Sequence, residues 1–378
     1  MEPPPSRGTP KRRPRAILSA RVTGAMVRAT VVVVGLVLAL TSCTSDGPSA
    51  SASTSGSGDV GGKAQSPAKP SHEVTRVNRR VVVPRAKETM PKVWAEVFKV
   101  SYGPHHEQLG TSRGGEGGDT AYGPESGARA PDGSWWFLDV AKLRLAHYSA
   151  GGRFLGAIKV PKRLLVNGRY FQWQLPHVLA DGTLVAFRLT SGAGAMLRLR
   201  NGTLDEVPLT VMFSPTYDDG RLLYGSVAGG PRLATLDPNT GAVTQVSTYR
   251  LPSGQTFNFT DDFDRGKLEL REAAASVTLD TVTASGDTAH MAVQARAGAD
   301  DSLHLYLTGT VGGQGSAQLL AYLGISPSGD VTRAEPLANP FSTADRGSPT
   351  QLVVAAGDSI PMLVYVMPDG VHVYRLAR

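Results

Sequence analysis

The chain has 378 residues, 41% hydrophobic and 19% charged, with 43 glycines and 26 prolines. This is an ordinary globular balance, long enough for one large domain or two smaller ones, and it favours turns and short strands over long helices. The formal charge of +7 is a property of the N-terminus: residues 1–42 hold seven of 39 basic and one of 32 acidic residues, so from Cys43 onward 32 basic residues face 31 acidic ones. A near-neutral body gives no electrostatic case for a nucleic-acid partner, and none is expected.

The first predicted element is an export signal. Residues 31–40, VVVVGLVLAL, are wholly apolar, with Arg28 just before them and further Lys and Arg upstream. Ten apolar residues are too few for a membrane span of roughly 20. A basic segment, a short apolar run and small residues together read as a secretory signal over 1–42. A plain transmembrane anchor is the rival reading, and the small polar residues TSCTSDGPSA that follow argue against it.

Leu40-Thr41-Ser42-Cys43 resembles the lipobox of bacterial lipoproteins: an aliphatic residue, two small residues, then cysteine. The resemblance covers only the leader. It implies cleavage between Ser42 and Cys43, and a diacylglyceryl thioether with acyl chains such as palmitate on Cys43. Localisation would then be the extracytoplasmic face of the cell membrane, with the membrane as a partner through the lipid anchor. Cys43 is the single cysteine of the chain, so no internal disulfide is available and an odd thiol in an exported protein acquires a reason. A free cysteine beside an ordinary cleavage site is the alternative. Met26 begins a compact signal of its own, MVRATVVVVGLVLALTSC, and is a second candidate start. Arg12-Arg13 lies too far from the apolar run to serve as a twin-arginine signal.

Residues 44–70 contain no aromatic residue and one aliphatic beyond alanine, Val60. Such a segment cannot bury enough apolar surface to offset ordering, so 43–87 is expected to be a lipidated N-terminus and disordered tether. The basic stretch Arg76–Arg85 reads as a solvated lead-in to the first strand.

From residue 88 to 378 short apolar runs alternate with Gly, Asp, Asn and Pro turns, an all-β pattern. In Ala128–Val160, Asp132-Gly133 turns into the apolar run Ser134–Val140. Leu143–Tyr148 follows, then Ala150-Gly151-Gly152, then Arg153–Val160. This grammar is similar to one blade of an NHL-type β-propeller. Hairpins recur at Met196–Leu209, Leu233–Val246, Leu320–Leu337 and Leu363–Leu376, with turns near residues 151, 201, 240, 328 and 369. The double-length gap between 240 and 328 predicts a hidden blade, placed on a hairpin in Ser276–Gln294 around Ser285-Gly286. The expected fold is therefore a six-bladed propeller, with seven blades or a β-sandwich as alternatives. Lys92–Tyr102 is expected to close the ring against the last blade.

Chemistry-bearing patterns are sparse. Of eight histidines only His105 and His106 are adjacent, and none has metal-ligand spacing. Thr260–Gly266 (TDDFDRG) holds Asp261, Asp262 and Asp264, a weak candidate for a hard cation but short of a complete calcium loop; a plain polar loop is the competing reading. Glycine clusters at 114–118 and 312–315 lack the Gly-Lys-Ser/Thr ending of a phosphate loop. No nucleophile elbow is present. Trp135 and Trp136 are expected to pack towards opposite neighbours, with carbohydrate stacking as the rival. No catalytic residue, metal or cofactor other than the lipid is expected. The leading functional reading is a binding or scaffolding module at the cell envelope, partnered by an envelope protein or polymer. The alternatives are a cell-wall carbohydrate binder, or a metal-dependent enzyme of the lactonase or lyase kind, which six-bladed relatives of this fold imply.

Overall fold

The computed structural model describes residues 75–377 apart from 85–86, 88, 114–120, 123, 125, 166–172, 189–193, 229–232, 263–266, 273–274, 283–288, 312–317, 339–350 and 368. The chain opens with β1 (Thr75–Val82) and β2 (Trp94–Val100), then a ribbon of β3 (Ser112–Arg113) and β4 (Ala121–Tyr122). The first meander is β5 (Gly127–Arg129), β6 (Trp135–Asp139), β7 (Arg144–Tyr148) and β8 (Phe154–Lys159). The second is β9 (Gln174–Val178), β10 (Leu184–Arg188), β11 (Ala195–Arg200) and β12 (Thr203–Pro208). The third is β13 (Phe213–Asp218), β14 (Leu223–Val227), β15 (Ala234–Leu236) and β16 (Val243–Gln245). Next come β17 (Tyr249–Arg250), β18 (Thr256–Asp262), β19 (Lys267–Glu272) and β20 (Ala275–Val282), then β21 (Ala289–Ala297), β22 (Leu303–Val311), β23 (Gln318–Ile325) and β24 (Val331–Pro336). The last are β25 (Gln351–Val353), β26 (Met362–Met367) and β27 (Gly370–Leu376).

Among the described residues five blades surround an axis. Their inner strands meet in the order β5, β9, β13, β21, β25 and back to β5. Five apolar clusters fill the seams. One joins Leu138 and Leu145 to Leu184 and Leu197; the next joins Phe187 and Met196 to Phe213 and Leu223. Another joins Tyr306 and Tyr322 to Leu363 and Tyr365, and the closing seam joins Val364 and Val373 to Trp135 and Phe137. β6 shows why the sequence does this: Trp135 and Phe137 face one neighbour, Trp136 and Leu138 the other, so the strand is apolar on both sides. The two tryptophans thus pack as expected. The outermost strand β8 alternates half-buried and exposed residues, because only one of its faces is covered.

The expected count of six equal blades is not what the axis shows. The sheet β17–β20 is wedged between the third blade and the β21–β24 blade, contributing Leu251, Phe257 and Leu279 to a cluster with Tyr217, Tyr224, Leu303 and Leu305. Its inner strand is two residues long, and β13 touches β21 directly. The hairpin expected in 276–294 is also absent: β20 pairs with β19 and β1, whereas β21 pairs with β22. A Ser-Gly turn signal reads the same whether its flanking strands pair or part. The β-sandwich alternative does not fit, since each sheet packs on neighbours to either side around a ring.

The N-terminal strands tie the molecule together. β2 pairs antiparallel with β27, Trp94 opposite Leu376 and Val100 opposite Val371, which closes the ring as anticipated from Lys92–Tyr102. β1 adds in parallel to β20, Thr75 opposite Ala275 and Val82 opposite Val282. Thr75–Val82 lies inside the 43–87 span assigned to the tether, so the fold begins before residue 88; Val81 and Val83, buried in the wedge cluster, hold it there. Among the described residues no helix is long and apolar enough to cross a membrane.

Candidate functional site: the axial end of the inner strands

One turn recurs where inner strands pass to their neighbours. In APDGS, Ala130 receives the Gly133 N–H and donates to the Ser134 carbonyl; Leu179 does the same with Gly182 and Thr183, and Gly298 with Asp301 and Ser302. Asp132, Asp181 and Asp300 each accept the N–H two residues on, at 2.9, 2.9 and 3.2 Å. The fourth turn position, just after that aspartate, has positive φ, which Gly133 (φ 85) and Gly182 (φ 81) take freely and Asp301 (φ 61) takes as a non-glycine. These turns set a common register: His177 and Arg296 both stand two residues before the turn-opening residue of their blades.

Two bulges then shape the contacts between these blades. Between β9 and β10 the register slips so that Leu175 and Pro176 oppose Ala186 alone, and Leu175 takes φ 53. In β13 Thr216 is the extra residue between Pro215 and Tyr217, so its carbonyl leaves the ladder. Arg296 Nη1 donates to that Thr216 carbonyl at 2.8 Å and to the Ala295 carbonyl at 2.8 Å. His177 Nδ1–H donates to Asp218 Oδ2 at 2.8 Å, in the tautomer that the carboxylate dictates. The Gly220 N–H donates to Asp218 Oδ1 at 3.3 Å.

Electrostatics fix the protonation states. Burial pushes the His177 imidazole down, outweighing the upward pull of Asp218. Burial pushes Asp218 up, but the His177 hydrogen bond, the charges of His177 and Arg296, and the Gly220 N–H outweigh it and hold the carboxyl below its usual range. The cluster is thus a neutral imidazole, a carboxylate and a guanidinium brought from three blades. Chemically it can orient a base or recognise a polar group, and it stitches β9, β13 and β21 together.

The rest of the axial end is structural. The Gly127 N–H donates to Gln351 Oε1 at 3.0 Å, Arg129 pairs with Asp358, and the Ala299 N–H donates to the Asp358 carbonyl at 2.9 Å. At the other end of β6, buried Asp139 holds Arg144 at 2.8 Å and the Gly110 N–H at 3.0 Å. Arg144 uses its other nitrogens on the His106 and Gln108 carbonyls, at 2.6 and 2.5 Å. His105 and His106 accordingly lie in a clamped loop, both exposed, and not on a strand. His147 contacts Ser134 Oγ at 2.9 Å and stacks on Trp136 at 4.0 Å; His304 Nδ1 meets Tyr322 Oη at 2.7 Å.

Of the residues singled out from sequence, Ser42, Cys43 and Asp264 lie outside the described residues. Asp261 and Asp262 end β18, opposite Leu268 and Lys267. Among the described residues no three His, Cys, Asp or Glu come together as a group that could hold a metal. His177, Asp218 and Arg296 were not singled out; aligning the ADG and ADD turns in register would have brought His177 and Arg296 to the same blade position.

The chain belongs to the family described as Domain of unknown function (DUF7485), whose model matches residues 92–376. No curated protein matches the sequence. Solved structures similar to it include a streptogramin B lyase at 12% identity, covering 68% of this chain and 83% of that one with a TM-score of 0.36. A virginiamycin B lyase from Staphylococcus aureus is 8% identical over 67% and 94% of the two chains, TM-score 0.37. A PQQ-bound aldose sugar dehydrogenase from Streptomyces coelicolor is 12% identical over 77% and 98%, TM-score 0.39. Likenesses of this size carry no argument about activity; the propeller is read from the sheets of the molecule itself.

Proposed function

Taking residues 92–376 as a family domain built as a propeller, we propose that it is a binding or scaffolding module held at the extracytoplasmic face of the cell membrane by a lipid on Cys43, with an envelope protein or polymer as its partner. The observation that carries the reading is the Leu40-Thr41-Ser42-Cys43 sequence directly after ten apolar residues, with Cys43 the sole cysteine. Cleavage before Cys43 and diacylglycerol on its sulfur follow from that reading, and two acyl chains hold a protein at a bilayer where one is marginal. Support for binding over catalysis comes from the axial end, where inter-blade hydrogen bonds knit the inner strands into a stiff platform. The NHL-like grammar of Ala128–Val160 supports the same kind of module.

The test is fractionation of the full-length protein in a bacterial host. Wild type should sediment with membranes and incorporate labelled palmitate; Cys43→Ala should lose the label and move to the soluble exported fraction. Label persisting in Cys43→Ala would overturn the lipid assignment.

A further inference from the structure

Among the described residues two arginines, Arg144 and Arg296, are buried, and the fold treats them differently. Every nitrogen of Arg144 is engaged: its Nε faces a carboxylate and both Nη atoms face carbonyls. Arg296 has equal burial, at 9% exposed, yet only Nη1 is used, and on neutral carbonyls. Among the described residues it closes no ion pair: Asp218 acts on it electrostatically but turns its oxygens to His177 and Gly220. Nε and Nη2 of Arg296 make no hydrogen bond and neither is sealed from solvent. His177 Nε2 is in the same condition. A buried guanidinium without a contacting anion is unfavourable unless something completes it.

We propose that this axial end of β9, β13 and β21 is a binding site for an oxyanion, the carboxylate or phosphate group of a ligand. The Nε–H and Nη2–H of Arg296 form the parallel donor fork that two oxygens of such a group match. The Thr216 carbonyl, released by the β13 bulge, holds Nη1 and fixes the direction of the fork. His177 Nε2, the acceptor nitrogen of a neutral ring whose proton is given to Asp218, can engage only a proton-bearing oxygen of the ligand, such as the hydroxyl of a hydrogen phosphate. The inference rests on the binding reading above, but the two fail separately: a chain that reaches the membrane through Cys43 and takes up no oxyanion keeps the first and loses the second.

The experiment is titration calorimetry of the full-length chain with acetate and, separately, inorganic phosphate at constant ionic strength. One saturable site per chain is expected for at least one probe. Preference for acetate marks a carboxylate ligand, preference for phosphate a phosphorylated one. Arg296→Gln should weaken the site at least about tenfold, the loss of one charge-assisted hydrogen bond. Arg221→Gln, on an exposed turn, should leave it unchanged. If Arg296→Gln does not fold, Arg296→Lys, which keeps the charge and loses the fork, replaces it with the same expectation. The arginine Nε–H resonances of the wild-type chain give a readout that needs no variant, since one must shift to saturation with the probe. No saturable binding of either probe, no shifting resonance, or unchanged affinity in a folded Arg296 variant overturns the proposal.

Discussion

The closing seam and the wedged seam solve the same packing problem in opposite ways. Where the last blade meets the first, two four-stranded sheets press directly together over Trp135, Phe137, Val364 and Val373. Where the third blade meets the β21–β24 blade, a whole sheet is inserted. Tyr217, Tyr224, Tyr249 and Phe257 form an aromatic knot with ring centroids 5.1–5.7 Å apart. Polar ties clamp it to both sides: Tyr217 Oη donates to the Arg250 carbonyl at 2.8 Å, and the Ser253 N–H to Asp301 at 3.0 Å. A blade is therefore defined by its inner strand; a sheet that shortens that strand to two residues keeps its apolar layer and becomes a spacer.

The largest test of this contrast is Trp135→Ala. Trp135 is fully buried, and truncation should cost about 3–5 kcal/mol of unfolding free energy in urea. Leu279→Ala, fully buried in the wedge, should cost about 2–3 kcal/mol if the spacer is integral; a change below about 0.5 kcal/mol would show that the wedge folds apart from the ring.

Acidification should separate the seams next. His177 is neutral in the folded state with its pKa lowered by burial, so the unfolded chain binds the extra proton first. Its contribution to stability is complete above an unfolded pKa of about 6.5 and falls as pH drops below it. Asp218, with its pKa lowered, adds a loss at lower pH, as pH falls through its folded value. Hydrogen exchange at pH 7.5 and 5 should show β9 and β13 amides losing protection while β6 and β27 amides hold.

Smaller effects follow on the surface. Asp132→Ala removes acceptors for the Ser134 N–H and hydroxyl and should cost about 1–2 kcal/mol. Val82→Ala, 52% exposed on β1, should change stability by less than about 0.5 kcal/mol.

Much of the regular part was legible in the sequence because its signals are local. Asn201-Gly202 and Asp132-Gly133 are turn dipeptides, and each joins strands that pair across it. The double apolar character of Trp135–Asp139 followed from burial on both faces. The wedge was not legible. Turn spacing points to an extra unit here, but its strands do not follow from local pattern, because β20 finds its outer partner in β1, some 200 residues earlier in the chain. The axial cluster was hidden for the same reason: His177 and Asp218 are 41 residues apart, and Thr216 and Arg296 80. Each is unremarkable among its own neighbours, and only the ring brings them together.

The closure of β2 on β27 has a consequence for how the protein is made. Glu96 and His372, which meet across this pairing at 2.8 Å, are separated by 276 residues of chain. During synthesis β2 emerges long before the strand it pairs with. Until then its edge is open to wrong pairing. A truncated product lacking 370–376 leaves β2 unmatched and the Trp135 seam without Val371 and Val373. β27 thus decides whether the ring can latch: a chain that stops short of it leaves β2 without its partner.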